Sequence, residues 1–191
     1  MARHATRRAI VTQRLWFTQT VEGLFIRGLG ERLTPAAKEA LAKAGIDLNR
    51  NLEVAYPAEV VEAACRAVLP FVLPGVSDDE GFFELGRIFM RGYSSTLIGS
   101  AMVGVMKVIG ARRSLERMTK NFRTGGNYIE TKVTVHGPTS VELWFNDVGQ
   151  MPGFYRGIIV GGGDLIGVDS MRVQQKLLEP PTASFHVTWQ S

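Results

Sequence analysis

The chain has 191 residues, 45% hydrophobic and 21% charged, which is one domain's worth of length and enough apolar material to bury a core without a metal or a disulfide. A single cysteine, Cys65, leaves no internal disulfide, no cysteine-built zinc site and no iron–sulfur centre. The net charge of +4 comes from 22 basic and 18 acidic residues, and Arg3, Arg7, Arg8 and Arg14 all precede the first acid, Glu22; the rest of the chain is balanced at 18 against 18, so the sequence offers at most a basic arm and disfavours a nucleic-acid-binding domain.

The arm is placed at residues 1–18, ahead of a single domain over 19–191. It lacks the apolar stretch and cleavage site of a signal peptide. Its Leu15-Trp16-Phe17 is too apolar to stay in water and is expected to pack on the domain or on a second copy. The least charged stretch, Gly92 to Met106, contains three serines and a threonine and falls short of the ~20 residues of a bilayer span. The sequence reads as a soluble, cytoplasmic protein with no transmembrane segment.

From Val21 the residues Leu24, Phe25, Leu29 and Leu33 recur at helical spacing. Thr34 suits the cap of the next helix, Pro35 its first position and Gly45 its end. Tyr56-Pro57 looks like a turn; Val60, Val61, Ala64, Cys65 and Val68 then share a helix face, closed by Pro70 and Pro74. Ser77 and Glu80 form a capping box for a long helix carrying Phe82, Phe83, Leu85, Phe89 and Tyr93 into an apolar run that ends near Gly110. A further helix with Leu115, Met118 and Phe122 stops at Gly125-Gly126.

Beyond Asn127 the period falls to two. Ile129, Thr131, Val133 and Val135 oppose Val141, Leu143 and Phe145 across a turn at His136–Thr139, giving a hairpin with one buried face. Pro152 opens a helix with Phe154, Ile158 and Ile159. A second hairpin pairs Met171, Val173 and Leu177 with Phe185, Val187 and Trp189 through Pro180-Pro181. The predicted fold is α+β: a helical N-terminal half, then a β-β-α-β-β antiparallel sheet packed against helices.

Catalytic and metal signatures are sparse. His4, His136 and His186 share no ligand spacing, so no metal site is expected. There is no Gly-x-Ser-x-Gly elbow, and Cys65 on an apolar face reads as an inert core residue. Gly161-Gly162-Gly163 has neither the β-α-β context of a dinucleotide loop nor the Lys-Ser/Thr of a P-loop. Gly153, Gly157 and Gly161, spaced by four, instead form a bare helix stripe for close approach to the sheet, another helix or a ligand. Arg113, Arg117 and Lys120 share a helix face that reads as a solvated surface, with an anionic ligand, a nucleic-acid phosphate or an acidic protein surface as the other options. Arg87 and Arg91 sit inside an apolar stretch, where Glu84 offers Arg87 a local ion pair and an anionic group is the other option.

The strings Leu85-Gly86-Arg87-Ile88-Phe89-Met90-Arg91-Gly92-Tyr93, Leu115-Glu116-Arg117-Met118 through Asn121-Phe122-Arg123-Thr124-Gly125-Gly126-Asn127-Tyr128, and Pro152-Gly153-Phe154-Tyr155-Arg156-Gly157 resemble a paralogous family of roughly 200-residue myxobacterial proteins of unassigned function. More distantly, Glu22-Gly23-Leu24-Phe25 and the order of elements resemble the superfamily of haem nitric-oxide sensors, four-vinyl-reductase ligand-binding domains and TRAPP vesicle-tethering subunits. That likeness implies an apolar cavity between helices and sheet for a hydrophobic small molecule or a lipid chain, with Cys65 as the sole counterpart of an acylated TRAPP cysteine. Haem through an axial histidine of the helical half is excluded, because none lies between His4 and His136; no cofactor is expected.

The leading reading is a non-catalytic sensory or adaptor domain that binds an apolar or amphipathic ligand, with access at Gly157 and Gly161 and Arg87, Arg91 or Arg117 holding a polar head group. A cavity above ~300 Å³ would favour it. The rival is a protein-interaction or homodimerisation module with a filled core, docking through Arg113, Arg117 and Lys120. An enzyme built on Tyr155, Asp164 and Asp169 is the remaining alternative.

Overall fold

A computed structural model describes residues 13–190. The basic arm's Arg3, Arg7 and Arg8 lie outside the described residues, as does His4. From Gln13 onward the segment belongs to the fold: β1 (Leu15–Phe17) pairs antiparallel with β2 (Ala55–Pro57), and Trp16 is buried. Tyr56-Pro57, expected as a turn, is thus strand. Its partner is distant in sequence, beyond any local pattern.

A single turn, α1 (Thr18–Val21), runs into a π-helical segment, Glu22–Leu29, that buries Val21, Leu24, Phe25 and Leu29 as the apolar spacing requires. Helix α2 (Pro35–Lys43) starts on Thr34, whose hydroxyl accepts the Ala37 amide, and ends at Gly45 with φ of 101°. Helix α3 (Ala58–Val72) buries Val61, Ala64, Cys65 and Val68, and continues two residues past Pro70.

The expected long helix is two. α4 (Asp78–Ser94) begins at Ser77, which caps the Glu80 amide, and stops at Ser94; Thr96 caps α5 (Leu97–Glu116) by accepting the Gly99 amide, and the two helices meet at a 98° bend. Within α5 the backbone breaks at Gly110, whose φ of 77° is open to glycine and strained for other residues. Among the described residues no single helix is long and apolar enough to cross a membrane. A short α6 (Met118–Phe122) leads to the Gly125-Gly126-Asn127 loop. That loop does more than end the helix: the Phe17 amide donates to Gly125, Asn127 donates back to Leu15, and the Asn127 side chain accepts the Leu15 amide, which clamps β1 beside it.

The sheet has the order β3-β4-β6-β5, antiparallel throughout, from β3 (Thr131–Gly137), β4 (Ser140–Phe145), β5 (Arg172–Leu177) and β6 (Ala183–Thr188). His136, expected in the turn, lies within β3 at its register shift, and Gly137 closes the strand. Val141, Leu143 and Phe145 with Ala183, Phe185 and Val187 form the buried face. Helices cover it: Phe122 of α6 and Tyr155 of α7 (Pro152–Leu165) lie 5.5 Å from the Phe145 ring. The outer face is polar, with the Lys132 ammonium over Trp144 and His136 stacked near His186. The architecture is the expected α+β fold, with β-β-α-β-β as its second half.

Candidate functional site

The site is set by how α7 meets its neighbours. On one side it lies against α4 at backbone distance: a Cβ on Gly157 would strike the Phe83 carbonyl and come within 3.0 Å of Gly86, and a Cβ on Gly86 would strike the Phe154 carbonyl. The glycine stripe therefore serves helix packing. Of the site residues expected from sequence, Gly157 and Gly161 are buried in this seam. Arg87 closes its rim, pairing with Asp164 at 3.0 Å and Glu84 at 3.4 Å. Arg91, Arg113, Arg117 and Lys120 are exposed on the surface. Cys65 is fully buried in α3, where desolvation pushes its thiol pKa far up, so it is inert as a nucleophile.

None of these residues lines the interior cavity. It lies on the other side of α7, enclosed by α4, α5, α6, Trp16 and Tyr128-Ile129, with a volume of about 80 Å³ and a partial opening to the surface. Its walls are apolar. Met90, Met102, Met106, Met118 and Met171 contribute to them, and Gly162 and Gly163 replace the expected Gly157 and Gly161 as the bare helix surface. The volume is well below the 300 Å³ sought; at ~10–15 Å³ per water it is room for about five to eight waters. A larger groove, about 340 Å³, runs outside between α4, α7 and β5. It is shallow, and its Arg156 is already bonded to Asp79 (3.1 Å) and Glu80 (3.4 Å), so the interior cavity is the better-formed site.

The cavity's polar groups are few and nearly all are spent. Thr20 donates to Gly125, Ser114 to Gly110, and Thr124 binds Tyr93. The exceptions are the Asn121 amide, which has no side-chain hydrogen bond among the described residues, and a chain of three rings. The Trp16 indole N–H donates to the Tyr128 hydroxyl at 2.6 Å, and the Tyr128 and Tyr155 hydroxyls meet at 3.3 Å. The indole proton is taken by Tyr128 and only one of the two hydroxyls can donate to the other, so one hydroxyl proton has no acceptor among the described residues. Burial raises the Tyr128 pKa to about 12 and Tyr155 well above its ordinary value, so both stay protonated. This group joins residues from both ends of the chain and has no local signature.

The residues proposed for catalysis do not converge. Tyr155 is in the cavity wall, Asp164 is tied to Arg87 at the rim, and Asp169 is exposed. No cluster among the described residues has the make-up of a metal site.

A family model for proteins of unknown function, DUF2378, matches residues 14–190. The chain belongs to the DUF2378 family. Among curated proteins no relative matches. Solved structures similar to this DUF2378 chain are H-NOX domains. An Fe(II) unliganded H-NOX variant from K. algicida shares 8% identity at a TM-score of 0.69, covering 91% of this chain and 96% of its own. An H-NOX variant from T. tengcongensis shares 13% at 0.63, covering 91% and 96%. An oxygen-binding H-NOX domain related to soluble guanylate cyclases, solved as its oxygen complex, shares 13% at 0.62, covering 91% and 92%. At such identities the likeness establishes a common fold. Haem, which some of these structures carry, does not fit the DUF2378 site: the cavity wall has no histidine and no cysteine, and its volume is a small fraction of the space a large cofactor needs.

Proposed function

We propose that the protein is a non-catalytic sensory or adaptor domain of the cytoplasm whose ligand is a small, largely apolar molecule with one hydrogen-bond acceptor. The carrying observation is the unspent hydroxyl proton of the Tyr128–Tyr155 pair in a cavity walled mainly by apolar side chains. Apolar surface supplies affinity and the one donor supplies orientation. The shared fold with H-NOX domains, one of them oxygen-binding, supports a ligand-binding role for this fold. An occupant filling 80 Å³ of such space contributes about 2 kcal/mol of stability, at ~24 cal/mol per Å³.

Thermal unfolding with benzene, cyclohexanone and cyclohexane, alongside native mass spectrometry of gently purified protein, tests the reading. The expected result is a rise of about 4–8 °C in Tm at saturation, larger for the ketone than for the hydrocarbon of equal size. Tyr128→Phe/Tyr155→Phe, which removes both hydroxyls, should reduce the ketone's advantage and keep hydrocarbon binding; Tyr155→Phe alone leaves Tyr128 as the donor. A clean apo mass with no thermal shift from any probe contradicts it.

One observation favours the rival, a protein-docking module: Arg113, Arg117 and Lys120 have no ionic partner among the described residues, whereas neighbouring Arg112 and Arg123 are paired with Glu116 and Glu130. Loss of a protein partner on Arg113→Glu/Arg117→Glu, with small-molecule binding unchanged and no Tm response to the probes, would select it.

A further inference from the structure

Four of the nine large apolar side chains left exposed among the described residues lie on the first half of α5: Leu97 and Val108, each 87% exposed, with Ile98 and Val105. Leu97, Ala101, Gly104 and Val108 are spaced by four, three and four, so they form one stripe, and Ile98 and Val105 widen it. The body does not cover this face; α5 turns inward only Gly99, Val103 and Met106 before the Gly110 break. From Leu97 to Lys120 the chain has five basic residues and one acid, Glu116, which is bonded to Arg112. Lys107, Arg113, Arg117 and Lys120 are exposed and free of ion pairs among the described residues.

We propose that this face docks on an anionic lipid bilayer, with Leu97–Val108 lying in the plane of the interface and the free cations on headgroup phosphates. Lys107 lies on the stripe's own segment, and Arg113, Arg117 and Lys120 follow it in the chain beyond the Gly110 break; an exposed apolar stripe followed by unpaired cations suits docking on, rather than spanning, a membrane. Twelve residues make about 18 Å of helix, too short to cross and adequate for shallow insertion. A second copy of the chain fits less well, because the same segment of a partner brings no free carboxylate to these cations, its one acid, Glu116, being bonded to Arg112. The proposal goes beyond the ligand reading and does not require the cavity to be occupied.

Flotation of the full chain with vesicles tests it. Binding is expected to phosphatidylcholine vesicles containing phosphatidylserine, weaker at high salt, and weak to phosphatidylcholine alone. Arg113→Ala/Arg117→Ala should weaken binding about 25-fold, roughly fivefold per cation, and Leu97→Asp/Val108→Asp should abolish it. These side chains are exposed, so circular dichroism and Tm should be unchanged and the loss reads as lost docking. The proposal is overturned by absence of binding to anionic vesicles. It is equally overturned if Leu97→Asp/Val108→Asp binds as well as the parent, which would assign attraction to the Arg-rich arm, or if light scattering shows a dimer that this variant dissolves.

Discussion

Helices α4 and α5 are consecutive in the chain, and α5 is the more apolar, yet α4 is buried on several sides while α5 keeps much of its apolar surface in water. The difference lies in the neighbours. α4 is wedged between α7 and the π-helical segment, and Gly86 on one side with Gly157 on the other lets backbones touch. In α5, Gly104 and Gly110 have nothing within contact distance, and before its break the helix buries Gly99, Val103 and Met106, with Met102 half-buried at the cavity. Apolar content supplies the driving force for burial, but a helix buries only as many faces as it has partners able to approach.

Two glycines on opposite sides of α7 give the comparison its sharpest test. Gly157→Ala puts a methyl group into the Phe83 carbonyl across the seam and should cost at least ~1–3 kcal/mol, a fall in Tm of several degrees by thermal melting. Gly162→Ala meets only the Met106 methyl at 3.6 Å and the Met90 methyl at 3.8 Å, both ordinary contacts. It should stabilise by about 1 kcal/mol through helix propensity and reduce probe binding by filling the cavity. A similar loss from both substitutions would mean that the two sides of α7 are packed alike. The smallest effect concerns pH. Since the raised Tyr128 and Tyr155 pKa values favour the neutral hydroxyls in the fold, their stabilisation is intact below the ordinary tyrosine value near 10 and is lost as pH rises through the folded values. Ketone binding, measured by Tm shift, should accordingly be flat between about pH 6 and 9.

Legibility in the sequence tracks the range of each interaction. The caps at Thr34 and Ser77, the buried helix faces and the alternation of β4 and β6 depend on residues a few positions apart, and all are visible as pattern. The break between α4 and α5 is also local: Thr96 three residues before Gly99 is an N-cap, hidden by its place inside an apolar run. Strand β2 escapes pattern because its partner is β1, and the role of Gly125-Gly126-Asn127 as the clamp on β1 is set by a contact 112 positions away. The cavity matches expectation in kind and departs from it in place. Its wall is drawn from Trp16, α4, α5, α6, Tyr128-Ile129 and α7, so the arginines and Gly157, conspicuous in sequence, lie elsewhere, while the methionines and the Tyr128–Tyr155 pair, inconspicuous there, converge on it.

Five of the chain's seven methionines line that cavity. Methyl-labelled methionine therefore reports directly on an occupant. In a titration with cyclohexanone monitored by NMR, saturable shifts confined to the Met90, Met102, Met106, Met118 and Met171 methyls, with the carbonyl's contribution reduced in Tyr128→Phe/Tyr155→Phe, are the result the account predicts. Unmoved methyl signals at these five positions would contradict it.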